Sequence, residues 1–296
     1  MGNEKTVTLA PGLYLVATPI GAARDITLRA LDILGAADLL AAEDTRTLRK
    51  LMDIHGIPLA DRRLVSFHEH NAKSALPKIL EALSDGKSVA YASDAGTPLI
   101  SDPGYDLTRA VIESGLSLRA APGPVAAIAA LTLSGLPSDA FFFAGFLPPK
   151  SAKRKSALAA LRDVPGTLVF YESPKRVAAM LVDAAETLGE TREAALCREI
   201  TKRFEETMRG TLGALAEELR TRDLKGEIVV LVGRGDSLAV SDVALDEELR
   251  RVLEVASLRD AAELVAGKFG LKKRDVYQRA LSLGKDRETK ARRDEE

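Results

Sequence analysis

The sequence predicts an α/β protein of two domains, followed by a small helical unit at the C-terminal end. Three observations carry that reading. Short apolar runs alternate with helix-length segments through roughly the first 135 residues, the pattern of βαβ units on a mostly parallel sheet. The chain has 296 residues, where a typical domain holds about 100–200. From residue 242 onward strand-type runs disappear and only helical periodicity remains. The predicted divisions are residues 1–123, 124–236 and 240–296.

Taken in order, residues 12–17 (Gly-Leu-Tyr-Leu-Val-Ala) form a buried-type strand that ends in Thr18-Pro19-Ile20-Gly21. Asp25-Ile26-Thr27-Leu28 opens a helix with an apolar stripe of Leu28, Leu31, Ile33 and Leu34, and Gly35 lies near its end. A second apolar run, Leu39-Leu40-Ala41-Ala42, stops at Glu43-Asp44-Thr45-Arg46, and a helix over 46–55 ends at Gly56-Ile57-Pro58. Leu64-Val65-Ser66-Phe67 is a third strand closing on His68-Glu69-His70-Asn71, followed by a helix over 72–83. Val89-Ala90-Tyr91-Ala92 carries no charge and follows the turn signal Asp85-Gly86-Lys87, so it reads as a fully buried strand. It runs into Ser93-Asp94-Ala95-Gly96-Thr97-Pro98, whose small and φ-restricted residues do not continue a strand. Residues 106–114 are helical and 116–120 form another strand, broken by Ala121-Pro122-Gly123-Pro124. A small-residue helix then covers 125–133.

The second half is α/β as well, with strands at 140–146, 167–171, 194–198 and 228–232. Between the first two lies a Pro-led basic loop, 147–155, with four cations in six residues (Lys150, Lys153, Arg154, Lys155). Beyond 242, Ser257 and Asp260 have capping-box spacing ahead of Ala261, Ala262, Leu264 and Val265. Phe269-Gly270-Leu271 is a tight turn, and a helix over 272–283 presents Val276, Ala280 and Leu281. Two helices joined through a glycine turn read as a helix-turn-helix-like unit. Residues 268–293 hold ten Lys/Arg against three Asp/Glu, which suits contact with a nucleic-acid backbone; the end of such a tail also has the composition of a solvated, disordered segment.

Composition narrows the function. With 46% hydrophobic and 29% charged residues the chain reads as soluble and globular. A net charge of −1 supplies no global field for nucleic acid, so any basic surface is local. Cys197 is the only cysteine, which excludes an internal disulfide and a cysteine-based zinc cluster and favours a reducing, cytoplasmic setting. No signal peptide is visible, and the apolar run at 125–133 is too short to span a bilayer.

Polar clusters fall at four successive strand ends, which in a parallel sheet is one edge, the usual place of an α/β ligand site. Each cluster has a plainer reading. Asp44 or Thr45 serves equally as a helix N-cap. Residues 93–104 equally make an ordinary turn, and the prolines around Gly123 simply start a helix. His68 and His70 have the spacing of a metal pair, but the chain has only one further histidine, so no metal is expected.

Six segments in order then resemble one family: residues 13–21, 42–46 (Ala-Glu-Asp-Thr-Arg), 66–71 (Ser-Phe-His-Glu-His-Asn), 93–104, 170–174 (Phe-Tyr-Glu-Ser-Pro) and 198–202 (Arg-Glu-Ile-Thr-Lys). They resemble the small-subunit ribosomal RNA 2′-O-ribose methyltransferases of the tetrapyrrole-methylase superfamily, and the resemblance covers nearly the whole chain. Ala22-Ala23 departs from the Asn usual after the Thr-Pro-Ile-Gly turn, and Lys175-Arg176 from the usual His-Arg.

The resemblance implies two α/β domains of the class III methyltransferase type, in a cytoplasmic homodimer with no membrane attachment. It implies S-adenosyl-L-methionine in the cleft between the domains. By position, Thr18, Pro19, Gly21, Ser93, Asp94, Ala95, Gly96, Thr97, Pro98, Ile100, Gly123, Val125 and Ala126 would line the cofactor, with Tyr171 approaching from the second domain. The methyl would pass to the ribose 2′-hydroxyl of a decoding-centre cytidine, cytidine 1402, in 16S rRNA or the assembled small subunit. Glu43, Asp44 and Glu172 are the candidate general bases. Lys150, Lys153, Arg154, Lys155, Lys202, Lys272, Lys273 and Arg274 are the candidate RNA contacts. Three other readings compete. One is a small-molecule methyltransferase acting on a tetrapyrrole precursor. Another is a non-catalytic RNA-binding assembly factor, and the last a metal hydrolase built on His68, His70 and Asp94.

Overall fold

The computed structural model describes residues 7–235, 242–269, 271 and 273–293. Its first sheet holds β1 (Gly12–Val16), β2 (Leu39–Ala42), β3 (Arg63–Ser66), β4 (Ser88–Ala92) and β5 (Leu118–Ala121) in the order β3-β2-β4-β1-β5. All four pairings are parallel. Helices α1 (Leu28–Ala36), α2 (Thr45–Ile54), α3 (Ala72–Ser84) and α4 (Tyr105–Glu113) supply the crossovers. Both faces of the sheet are therefore covered, which is why β2 and β4 carry no charged side chain. Tyr14, Val16, Leu40 and Ala90 pack with Ile33, Leu34, Leu48 and Met52 of α1 and α2. Leu13, Leu39, Val89 and Tyr91 pack on the opposite face with Ile79, Leu83, Leu107 and Val111 of α3 and α4.

That division creates a switch point. β1 and β4 are neighbours, yet β1 feeds a helix on one face and β4 a helix on the other. Their loops diverge at the carboxyl ends and leave a crevice, the place where open α/β sheets take ligands.

α5 (Ala126–Ser134) packs on the second sheet: Ala127, Ala130 and Leu131 meet Val169, Ala195, Cys197, Val229 and Leu231, with Ile20 joining from the loop after β1. That sheet contains β6 (Phe141–Phe146), β7 (Thr167–Glu172), β8 (Glu193–Arg198), β9 (Glu206–Thr211) and β10 (Ile228–Val232), ordered β6-β7-β10-β8-β9. Only β6 and β7 run parallel; the other three pairs are antiparallel. Its far face packs on α6 (Ser151–Ala160), α7 (Pro174–Leu188) and α8 (Leu212–Glu218) through Leu158, Val177, Met180, Leu181 and Leu215.

The structure corrects the sequence reading in several places. The basic stretch is helix α6 from Ser151 onward, with Lys150 at its N-cap, because Arg154 and Leu158, one turn apart, both face inward. Leu28 does not join the α1 stripe; it is 80% exposed. It lies two residues, about 200°, from Ala30, and the buried face is Ala30, Ile33 and Leu34. Leu264 likewise points outward, at 61% exposure, while Ala261, Ala262, Val265 and Ala266 face the core. α7, β9 and α8 were not foreseen; β9 (Glu-Thr-Met-Arg-Gly-Thr) is a polar edge strand with one buried residue.

The C-terminal unit comprises α9 (Asp242–Leu253), α10 (Leu258–Phe269) and α11 (Lys273–Arg293). Leu245, Leu249, Val252, Ala261, Val265, Val276 and Ala280 form a hydrophobic cluster of its own. The amide of Asp260 donates to Ser257 Oγ, and Ser257 Oγ donates to the Asp260 carboxylate at 2.6 Å, which caps α10 as the spacing suggested. Gly270 of the foreseen turn lies outside the described residues.

Candidate active site

The site begins at the crevice. The amide of Thr18 donates to Gly96 O at 2.8 Å and the amide of Gly96 returns to Thr18 O at 3.0 Å, joining the loops after β1 and β4. Thr18 Oγ1 donates to Ser93 O, and Ser93 Oγ donates to Gly96 O. Thr97 Oγ1 donates to Pro124 O at 3.0 Å, which draws in the loop after β5. Two glycines let these loops approach. Gly96 has φ +80°, and at Gly123 a Cβ would stand 2.8 Å from the Ala17 Cβ. On the far side, the amide of Ala22 donates to Thr201 Oγ1 at 3.0 Å, so the loop after β1 also seats against the loop after β8.

Between the two sheets lies a cavity of about 400 Å³. Ala95, Gly96, Thr97, Ile100, Ser101 and Asp102 line it from the first sheet, Val125 and Ala126 from the start of α5. Phe146, Tyr171, Glu172, Ser173, Ile200 and Glu227 line it from the second. Tyr171 is fixed in place: its hydroxyl accepts from the amide of Ala127 in the first turn of α5 at 3.2 Å. Its ring meets Phe143 and Phe146 edge-on, with centroids 5.0 and 5.8 Å away. Phe146 is 57% exposed and stands at the mouth.

Among the residues expected to hold a cofactor, Ala95, Gly96, Thr97, Ile100, Val125, Ala126 and Tyr171 thus border the cavity. Thr18, Pro19, Gly21, Ser93, Asp94 and Pro98 do not; they build the loops behind it. Gly123 borders a separate depression of about 370 Å³ with Asp25, Ile128 and Thr201. Asp94 is exposed, and its carboxylate accepts from the amide of Asp44 at 2.9 Å, so it ties two loops together rather than facing the cavity.

The candidate bases are engaged elsewhere. Asp44 is the N-cap of α2, accepting from the Arg46 amide, and the Arg46 guanidinium beside it holds its pKa down to about 2. Glu172 is buried, accepting from the Ser173 amide at 2.8 Å and from Arg176 at 3.1 Å. Glu43 lies off the cavity wall; burial and the charge of Asp94 push its pKa up, while the Asp94 amide opposes them. The carboxylate given no role by the sequence is Asp102. Burial first, then the charge of Glu43, raise its pKa to about 7, with the polar Ser93 side chain beside it opposing them. Ser101, Phe146 and Glu227 were missed, while Asp102, in the Ser-Asp-Pro-Gly run that ends the cluster after β4, carries no assigned role in the sequence reading.

The cation candidates separate too. Arg154 is buried and bound to Asp183, which removes it from any RNA surface. Lys155 pairs with Glu186 and Asp183, and Lys202 with Glu199 and Glu227. Lys150 and Lys153 are exposed. Lys273 is exposed and paired with Glu263, Arg274 is exposed, and Lys272 lies outside the described residues. Among the described residues, no group of three His, Cys, Asp or Glu is arranged to hold a metal ion.

Residues 12–216, which build both sheets' first nine strands and the cavity's loops from Ile20 to Ile200, match the family Tetrapyrrole (Corrin/Porphyrin) Methylases. The chain belongs to that family. It is therefore a methyltransferase, and residues 239–284 match the RsmI C-terminal HTH domain. The chain is 51% identical, over 93% of both chains, to the ribosomal RNA small subunit methyltransferase I of Mesorhizobium japonicum. It is 43% identical, over 91% of this chain and 94% of the relative, to the protein of the same name from Escherichia coli O157:H7. A uroporphyrin-III C-methyltransferase from Thermus thermophilus, solved with S-adenyl homocysteine, superposes with a TM-score of 0.52. That match is 18% identical and covers 74% of this chain and 96% of the other, a likeness of fold.

Proposed function

We propose that this methyltransferase uses S-adenosyl-L-methionine to methylate the ribose 2′-hydroxyl of cytidine 1402 in 16S rRNA. The observation that carries the rRNA reading is the 51% identity, over 93% of both chains, to a protein named as a small-subunit rRNA methyltransferase. The matched C-terminal unit supports it, because small-molecule methylation needs no separate helical module for gripping RNA.

The cavity residues fit the donor. About 400 Å³ falls within the ~300–1,000 Å³ of small-molecule sites. Ile20, Ile100 and Val125 offer apolar wall, while Asp102, Glu172 and Glu227 place carboxylates around a position for a cation. When bound, S-adenosylmethionine supplies an electrophilic methyl on a positively charged sulfur. The chain's part is to hold the acceptor hydroxyl in line and keep water out, because a neutral leaving group makes orientation the main requirement. Lys150, Lys153, Arg274 and the tail are assigned to the RNA backbone, which positions a splayed nucleotide without reading it. The assembly is proposed to be a cytoplasmic homodimer.

Transfer of tritium from labelled S-adenosylmethionine to 16S rRNA, offered naked and as small subunits, tests the reading. Label at the 2′-oxygen of that cytidine is expected. Incorporation into neither substrate overturns it.

A further inference from the structure

We propose that Phe146 is the platform on which the base of the acceptor nucleotide stacks, holding that nucleotide's ribose at the mouth of the cavity. The proposal rests on the rRNA 2′-hydroxyl reading above.

Edge strand β6 is built to turn this ring outward. Phe143 pairs with Val169 and Phe146 with Tyr171, so β6 advances three residues where β7 advances two. The extra residue is taken up beside Gly145, whose φ of +62° is a left-handed conformation. Side chains alternate with period two along a strand, so without the bulge residue 146 would follow Ala144 toward α6 and α7. With the bulge, Phe146 follows Phe143 to the face of Tyr171 and α5, and Leu147 takes the buried place beside α6 and α7.

The bulge is held from several sides. Arg176 Nη2 donates to Leu147 O at 2.6 Å and to Glu172 Oε2 at 3.1 Å, which ties the chain after Phe146 to the first turn of α7. From the first sheet, Ser101 Oγ lies 3.5 Å from where a Gly145 Cβ would be, so the turn after β4 closes on the bulge. A single exposed aromatic is ordinary on a protein surface. This one is aimed by a bulge and borders the cavity. Phe141 and Phe142 are exposed too, but at the amino end of β6, and neither borders the cavity.

Charge says what covers the ring. Lys150 at the N-cap of α6, Lys153 in its first turn and Lys175 in the first turn of α7 are all exposed. Neither helix has a side-chain N-cap, so its first N–H groups add to the positive field of the lysines. Single-stranded RNA matches this combination, since its unstacked bases lie on aromatic rings while its phosphates take cations. A base and its ribose are one glycosidic bond apart. A base on Phe146 therefore brings its own 2′-hydroxyl to the cavity that Phe146 borders. Stacking accepts any base, so Phe146 positions the nucleotide and does not select cytidine.

The test is a cycle between the ring and the base, run on small subunits with S-adenosylmethionine saturating for each protein. Phe146→Leu keeps the apolar bulk and removes the aromatic face; its kcat/KM is expected to fall about 5–150-fold, while Phe146→Tyr stays within about threefold of wild type. Small subunits reconstituted with an abasic ribose at the target nucleotide keep the 2′-hydroxyl and lose the base. Wild type is expected to lose a similar factor on them, and Phe146→Leu no more than about threefold further, because the two changes remove one contact. Penalties that multiply, or an unimpaired Phe146→Leu, overturn the role of Phe146 and leave the rRNA reading standing. The chain has no tryptophan, so Phe146→Trp reports the position directly. Solvent-exposed emission is expected from the free enzyme; blue-shifted emission would show a second copy of the chain covering the ring and overturns the proposal. Wild type that methylates no form of the RNA overturns the rRNA reading and this inference with it.

Discussion

Arg154 and Asp183 form an ion pair that solvent barely reaches: Arg154 Nε donates to Asp183 Oδ2 at 2.7 Å, with side chains 5% and 7% exposed. Ser151 Oγ donates to the other carboxylate oxygen at 2.9 Å, and the Arg154 guanidinium also donates to Pro149 O at 3.1 Å. The pair locks α6 onto α7. Truncating one member strands a buried charge, so Arg154→Ala should cost about 3–5 kcal/mol in urea unfolding. Lys150→Ala and Lys153→Ala, on exposed side chains, should each change stability by no more than about 0.5 kcal/mol. If those two lysines contact phosphates, each substitution should weaken RNA binding and lower its salt slope by about one.

This pair also marks where sequence stops being informative. Lys-Arg-Lys reads as one basic patch, because linear order does not show that 153 and 155 turn outward while 154 turns in. That fact requires α7, a helix whose Asp183 is set by packing far along the chain. The parallel half was legible because strands buried on both faces must be apolar, and each ends abruptly at a polar cluster. β9 was not, since its pairing with β8 stabilises a polar sequence that has no strand signature alone. In the site, the small residues after β4 and before α5 were legible as a close approach of backbones. Asp102 was not, because its character comes from burial, from Glu43 and Glu227 on two other loops and from Asp94 earlier on its own.

The raised Asp102 pKa has a consequence for stability that needs no substrate. Its folded value of about 7 lies above the model-compound 3.8, so between those values the folded state holds a proton that the unfolded state has released. Stability is present below pH 4 and declines as pH rises toward 7. Asp102→Asn removes that penalty. The variant should melt higher than wild type at pH 8, by about 2–4 °C per kcal/mol recovered, and the two should converge near pH 4. A variant that melts lower at pH 8 would show that the Asp102 carboxylate is stabilising as an anion.

Gly123 tests the loop approach. A methyl there would overlap the Ala17 Cβ at 2.8 Å, and both lie on backbone that cannot swing away as a long side chain would. Overpacking of this kind costs about 1–3 kcal/mol. Relief would come by pushing the loop after β5 off β1, which shifts Pro124, the acceptor for Thr97, and then Val125 and Ala126 on the cavity wall. Gly123→Ala should therefore lower affinity for S-adenosylmethionine in calorimetry by more than its loss of stability implies at the assay temperature. Gly35→Ala, where a Cβ meets nothing within 4 Å, is the control and should leave binding unchanged.

The C-terminal unit is expected to separate from the cofactor site. Its hydrophobic cluster draws only on α9, α10 and α11, and no described residue of those helices lines the cavity. Several of its cations are spent internally: Arg279 on Asp246, Arg251 and Lys268 on Glu248, Lys273 on Glu263. Arg259 and Arg274 remain exposed on successive helices, so a modest number of phosphate contacts is the reasonable expectation. Ending the chain after Gly235 should leave the Kd for S-adenosylmethionine within threefold of the full-length value. Binding to small subunits at low salt should weaken by ten-fold or more, with a shallower dependence on salt, because each lost phosphate contact removes one released counterion. Equal loss of both affinities would show that the unit braces the two sheets instead of gripping RNA.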